Sequence, residues 1–218
     1  MPALHTLFMD AVSEEHQRLV SRRTLMGTGS KLAIGGAVAA AVASSPALAR
    51  VVAAQDDEFE DDIDILNYAL TLEHLEYAFY RDGLAGFEID DFDSGVYDNL
   101  ILIRDHEGAH VDALVATISD LGGEPVEEAE YDFGYEDADG FLMVAAALEN
   151  TGVSAYDGAG ANIESVDLLN AAGTIVAVEA RHASYLNLVT GEDPFPDAFE
   201  TPLSRDEVLE IAGPFIVQ

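Results

Sequence analysis

Glu107 and His110 stand three residues apart on a stripe whose other members, Leu100, Ile103, Leu114 and Thr117, are mostly apolar and recur every three or four positions. That period predicts a helix with one core-facing side, and it puts the carboxylate and the imidazole on that side, aimed at one point. Burying an unpaired carboxylate is costly, so it either takes up a proton or finds a cation. A divalent metal ion meets that need. The pattern recurs at Glu179 and His182, on a stripe containing Ala172, Ile175, Leu186 and Val189. One helix earlier in each case a lone glutamate sits on a comparable stripe. Glu73 lies among Leu66, Leu70, Tyr77 and Tyr80, and Glu149 among Leu142, Ala145, Gly152 and Tyr156. Each half of the chain therefore has the same plan, a helix with one inward glutamate followed by a helix carrying Glu-x-x-His.

Four glutamates and two histidines converging at mid-bundle form a ligand set that resembles the ferritin-like di-iron and di-manganese carboxylate bundles. The segments Leu66-Asn67-Tyr68-Ala69-Leu70-Thr71-Leu72-Glu73-His74-Leu75-Glu76, Glu149-Asn150-Thr151-Gly152-Val153, Val178-Glu179-Ala180-Arg181-His182-Ala183 and Pro194-Phe195-Pro196-Asp197-Ala198-Phe199 are similar to the ferritin-like family that includes plant desiccation-related proteins and many exported microbial proteins. The likeness runs from about Asp62 to Gln218. It implies an all-α fold, a ferritin-like four-helix bundle with a long crossover between the second and third helices and a short C-terminal helical tail. It further implies two Fe or Mn ions, bridged by Glu107 and Glu179, with Glu73, His110, Glu149 and His182 binding one metal each. Hard carboxylates with imidazoles suit iron or manganese. The expected chemistry is metal oxidation by dioxygen or peroxide, or protection from oxidative stress. The competing reading is a non-catalytic structural, desiccation or salt-stress protein that keeps the fold.

Neighbouring residues compete for these roles. Glu76 faces inward if the first helix is rotated, although the stripe favours Glu73. His74 and His106 flank motif residues and are expected at the surface or behind the ligands. Tyr77, Tyr80, Tyr156 and Tyr185 read as core packing, with a hydrogen bond to the site as the minor alternative.

Before the bundle, Ser21-Arg22-Arg23 precedes an apolar run from Leu32 to Ala43 that ends at Ala47-Leu48-Ala49. These are the parts of an export signal of the twin-arginine type, with a basic start, a short apolar core and a small-residue cleavage site. The run is shorter than the roughly twenty residues that span a bilayer, so no stable membrane association is expected after cleavage. The division expected is 1–54 for signal and acidic linker, 55–191 for the bundle and 192–218 for an extension packed on it. With no cysteine there is no disulfide, no thiolate ligand and no Cys-x-x-Cys electron-transfer module.

Charge narrows the partners. The sequence carries 42 acidic and 9 basic residues, a net charge of −33, and its only lysine is Lys31. Such an excess repels nucleic acid and anionic lipid. Because the apolar periodicity persists, it is read as an acidic solvated surface adapted to high salt, where ions screen self-repulsion. Dioxygen or peroxide as substrate, and a homo-oligomer, remain as partners. No dinucleotide glycine fingerprint or serine-hydrolase elbow is present.

Glycines, prolines and caps set the expected helices at Asp62–Arg81, Ser94–Leu121, Asp137–Tyr156 and Ser165–Thr190, with a short fifth from a capping box at Ser204 to Ala212. Phe195, Phe199, Val208 and Phe215 are expected to pack the tail across the bundle.

Overall fold

The computed structural model describes residues 59–217, so the expected export signal and most of the expected acidic linker lie outside the described residues. Five α-helices follow in order: α1 (Asp62–Gly83), α2 (Val96–Asp120), α3 (Ala138–Gly160), α4 (Val166–Thr190) and α5 (Arg205–Ala212). No strand occurs among the described residues apart from one antiparallel bridge between Tyr131 and Ile216. No described helix is long and apolar enough to cross a membrane.

Side-chain caps start most of the helices. Asp61 accepts from the Asp64 N–H, Asp137 from Gly140 and Ser165 from Leu168, and Ser204 with Glu207 forms a capping box. Helix α2 differs from expectation, beginning at Val96 behind Gly95, whose φ of 83° is left-handed, and not at Ser94. Helix α3 runs through Gly158 to Gly160. Gly158 is needed there for contact, because a Cβ would run into the Leu203 carbonyl oxygen of the C-terminal extension. Gly191, at φ 86°, closes α4 as a left-handed cap.

Helices α1 and α2 pair antiparallel, with Leu66 and Leu70 near the start of α1 packed against Val111, Leu114 and Ile118 near the end of α2. Helices α3 and α4 pair likewise, tied by reciprocal amide bonds between Asn150 and Asn187 at 2.8 and 3.2 Å. At one end of the bundle an aromatic group forms around Phe79 and Phe141, whose rings stack at 4.4 Å, with Phe87, Phe133 and Tyr135 edge-on or tilted about them.

The long crossover from α2 to α3 lies along α1, held by three residues at heptad spacing. Asn67 receives the Val126 N–H and donates to the Glu124 carbonyl, His74 Nε2 meets the Val126 carbonyl at 3.2 Å, and Arg81 forms a two-pronged ion pair with Glu128 at 2.9 Å. Seven residues are two helical turns, so the three side chains share a face. His74 is thus buried under the crossover, away from the metal-ligand stripe and not at the surface. The C-terminal end pairs with the crossover through Val217 N–H to the Glu130 carbonyl and Asp132 N–H to the Phe215 carbonyl. Val208 is fully buried and Phe215 packs on the core, but Phe195 and Phe199 are 79 % and 85 % exposed and take no part in packing the tail. That stretch runs in bends over the surface before Glu200 and Leu203 bond to Ser154 of α3.

Candidate metal centre

Each of the four long helices delivers one inward glutamate at mid-length. Glu73 of α1, Glu107 of α2, Glu149 of α3 and Glu179 of α4 are all 0 % exposed, and His110 and His182 follow one turn after the α2 and α4 glutamates. All six residues named from the sequence therefore meet. They form two groups, Glu73, Glu107, Glu179 and His110 on one side, and Glu149, Glu107, Glu179 and His182 on the other, with ligand atoms within 4.8 Å of one another in each. Glu107 and Glu179 belong to both.

Both histidines turn Nδ1 toward the carboxylates. His110 Nδ1 lies 3.2 Å from Glu73 Oε2, 3.2 Å from Glu107 Oε2 and 3.0 Å from Glu179 Oε1. His182 Nδ1 lies 3.1 Å from Glu149 Oε2 and 3.0 Å from Glu107 Oε1. One Nδ1 proton cannot serve several oxygens at once, and the account shows it. Glu107 Oε1 and both Glu179 oxygens are buried without an aligned hydrogen bond among the described residues, although Oε1 of each lies 3.0 Å from a histidine Nδ1. Orphaned buried oxygens are expensive, and cations held among these oxygen and nitrogen donors would satisfy them, so the residues present fit a carboxylate-histidine metal centre.

Electrostatics separates the four glutamates. Burial tends to raise Glu107, but hydrogen bonds and charge from His110 and His182 overcome it and hold the carboxylate down at about 2. Burial pushes Glu73 up to about 7, only partly offset by His110. Glu149 is raised, and Glu179 raised well above the usual range, by burial and by the neighbouring carboxylates. Burial works against charge on the histidines, yet the surrounding carboxylates push His182 up to about 9 and His110 to about 12. Without metal, then, the two imidazoliums act as the cations of the site.

Two tyrosines read from sequence chiefly as packing hold the outer glutamates. Tyr80 donates to Glu149 Oε1 at 2.7 Å and Tyr156 donates to Glu73 Oε1. Tyr77 lies against Gly108 and under the Arg81 guanidinium, away from the carboxylates, and Tyr185 is half-buried beside the core. His106 lies behind His182, its Nδ1 2.9 Å from His182 Nε2 and the two rings nearly parallel and end to end, with centroids 5.2 Å apart. The sequence presents Glu76 only as a competitor of Glu73. Glu76 is also buried, so the choice between Glu73 and Glu76 is not exclusive. The signal that locates it, Gly152 across the bundle, sits in another helix.

An apolar cavity of about 130 Å³ adjoins the cluster, opening from Leu72 and Tyr156 between the ends of all four long helices. It contains none of the six residues. Its walls suit a small apolar molecule better than a charged one.

A family model described as the ferritin-like domain matches residues 61–192, more than half of the chain. Among solved structures, the chain is similar to a conserved hypothetical protein, rv2844, from Mycobacterium tuberculosis, at 23 % identity and a TM-score of 0.51, over 62 % of this chain and 94 % of that one. At that identity the likeness concerns the fold. No curated protein matches.

Proposed function

This chain belongs to the ferritin-like domain family, and from that premise we propose that it is a di-metal carboxylate protein, with iron or manganese held by Glu73, Glu107, His110, Glu149, Glu179 and His182. The observation that carries the reading is the pair of four-residue groups sharing Glu107 and Glu179, whose oxygens are buried and in part have no aligned hydrogen bond. Glu107 and Glu179 would hold both ions, and the other four residues one each. Iron or manganese, when bound, supplies electrons to dioxygen or peroxide. The protein's part is to fix the ligands and exclude water. Tyr80 and Tyr156 orient the outer carboxylates, His106 orients His182, and the surrounding Leu and Phe side chains keep the centre dry. The apolar cavity beside Tyr156 supports dioxygen as the oxidant, with peroxide as the alternative, and Fe(II) or Mn(II) oxidation or oxidative-stress protection as the role.

A purely structural polar network is the weaker reading, because such a network would align a donor on each Glu179 oxygen, whereas Oε1 meets His110 Nδ1 at 3.0 Å out of line and Oε2 lies 4.0 Å from His182 Nδ1. The test is anaerobic loading with Fe(II) or Mn(II), gel filtration and elemental analysis, followed by a pulse of dioxygen or peroxide. About two metal equivalents and rapid oxidant consumption are expected; a protein that retains no metal would overturn the proposal.

From the sequence we also infer export by the twin-arginine route, on the strength of Arg22-Arg23, the Leu32–Ala43 run and Ala47-Leu48-Ala49, and membership of the exported, desiccation-related branch of the family, on the strength of the segments 66–76, 149–153, 178–183 and 194–199. A variant with Arg22→Lys and Arg23→Lys should stay in the cytoplasm; secretion at the parent level would refute this route.

A further inference from the structure

The two ends of the bundle are filled differently. Stacked and edge-on rings around Phe79 and Phe141 close one end. At the other, where α1 and α4 begin and α2 and α3 finish, the helices turn small side chains toward one another. Ala113 of α2, Ala155, Ala159 and Gly160 of α3, and Ala171 and Ala172 of α4 surround the apolar cavity of about 130 Å³. An unfilled apolar cavity costs stability in proportion to its volume, and one leucine in place of an inner alanine would fill much of this one. Ala113, Ala171 and Thr174, which line it, are exposed, and this places its mouth between the end of α2 and the start of α4.

The walls offer almost nothing polar. Among the described residues no charged side chain lines the cavity, in a chain with 42 acidic residues. The hydroxyls of Thr117 and Thr174 donate to the Ala113 and Ala171 carbonyls of their own helices, and that of Tyr156 donates to Glu73 Oε1. A buried water molecule needs about three polar partners, and these groups have already placed their protons, so water is held poorly there. An apolar cavity of about 150 Å³ stays dry and takes up benzene. This one is only slightly smaller, with room for a ring as well as for a diatomic gas.

We propose that this cavity is a binding site for an uncharged apolar organic molecule of about the size of a single aromatic ring, held against Tyr156 on the Glu73 side of the cluster. Tyr156 belongs to both places, because its ring lines the cavity and its hydroxyl holds Glu73. An occupant therefore touches the residue that orients one of the candidate ligands. Size and polarity set the class. A benzene-like ring or a hydrocarbon of about six carbons fits, whereas a carboxylate, a phosphate or a sugar would lose its hydration with nothing to replace it. Anions would in addition meet the field of an acidic chain.

The test is made on the purified full chain with and without chelator, and the same result is expected in both, so its failure leaves the di-metal reading untouched. Benzene, added up to its aqueous solubility, should raise the melting temperature in a saturable way by binding the folded state, and benzoate at the same concentration should not. Bound benzene should show NMR contacts with the Tyr156 ring and the Ala155 methyl group. Ala172→Leu, which fills the cavity from its half-buried side, should weaken benzene binding by at least about tenfold. Leu168→Ala, which enlarges the cavity, should gain binding of naphthalene over the parent, and this gain guards against a folding failure in the first variant. The proposal is overturned by a parent that shows no saturable benzene effect, by an equal effect of benzoate, or by contacts that place benzene away from Tyr156. Unchanged benzene binding in Ala172→Leu, or naphthalene bound no better by Leu168→Ala, would overturn it as well.

Discussion

His106 Nδ1 lies 2.9 Å from His182 Nε2, so a half-exposed imidazole is bonded to a buried one whose other nitrogen faces Glu107 and Glu149. Burial and the charge of His182 lower the basicity of His106, which keeps it neutral and able to accept the His182 Nε2–H. That bond sets the ring orientation and leaves Nδ1 for the cluster. His110 has no matching histidine behind it. His106→Ala should therefore weaken metal binding by about 10- to 100-fold at the His182 side alone, with little change in apo stability. Chelator competition with the purified variant measures this, and equal weakening of both positions would contradict it.

Glu107 and Glu179 occupy equivalent places in the two Glu-x-x-His turns, but only Glu107 is held ionised by the histidines. Glu107→Gln breaks a buried charge arrangement and should cost the apo protein about 3 kcal/mol or more. Glu179→Gln replaces a carboxyl that burial and the neighbouring carboxylates hold well above the usual range and whose oxygens have no aligned hydrogen bond, so apo stability should hold or rise. Both variants should lose metal. Denaturant unfolding in chelator compares the two, and equal destabilisation would refute the distinction.

The pH dependence of the metal-free fold follows from the same shifts. His182, at about 9, is raised above its ordinary value, so its stabilising contribution is complete below about 6.5 and is lost as pH rises through about 9. Glu73, raised to about 7, also keeps its proton in the folded state while the unfolded chain releases it, which lowers stability between about 4.5 and 7. Glu107 works the other way, since its contribution is present above about 4.5 and lost as pH falls toward 2. The apo melting temperature should fall from pH 6 to pH 9, and metal affinity should rise over that range because protons leave the histidines on ligation. A flat apo melting curve between those pH values would be inconsistent with the charge state derived for the site.

The net charge of −33 makes the fold sensitive to salt. As salt falls from 1 M to 0.1 M the Debye length grows from roughly 3 to 10 Å, and repulsion among the exposed carboxylates reaches further. The melting temperature should drop over that interval. Constancy would remove the case for adaptation to high salt.

Helical periodicity decides which side of a helix faces inward, and for this reason Glu73, Glu107, His110, Glu149, Glu179 and His182 could all be named before any tertiary information. Caps did the same for boundaries, through Asp137, Ser165, Gly191 and the Ser204–Glu207 box, whereas Gly158 reads locally as a break and is tolerated in α3 because Leu203 needs the space. What periodicity leaves open is the surface each side chain meets across the bundle. Tyr80 and Tyr156 become hydrogen-bond donors to the cluster only because Glu149 and Glu73 lie opposite them. Glu76 is buried with room for its carboxyl because residue 152, on a different helix, has no Cβ, and Phe195 and Phe199 stay exposed despite their apolar rings. Glu107 and Glu179 are equivalent in sequence and unequal in space, because the charge on each depends on how the two histidines from α2 and α4 are shared, and that is settled by helices packing against one another.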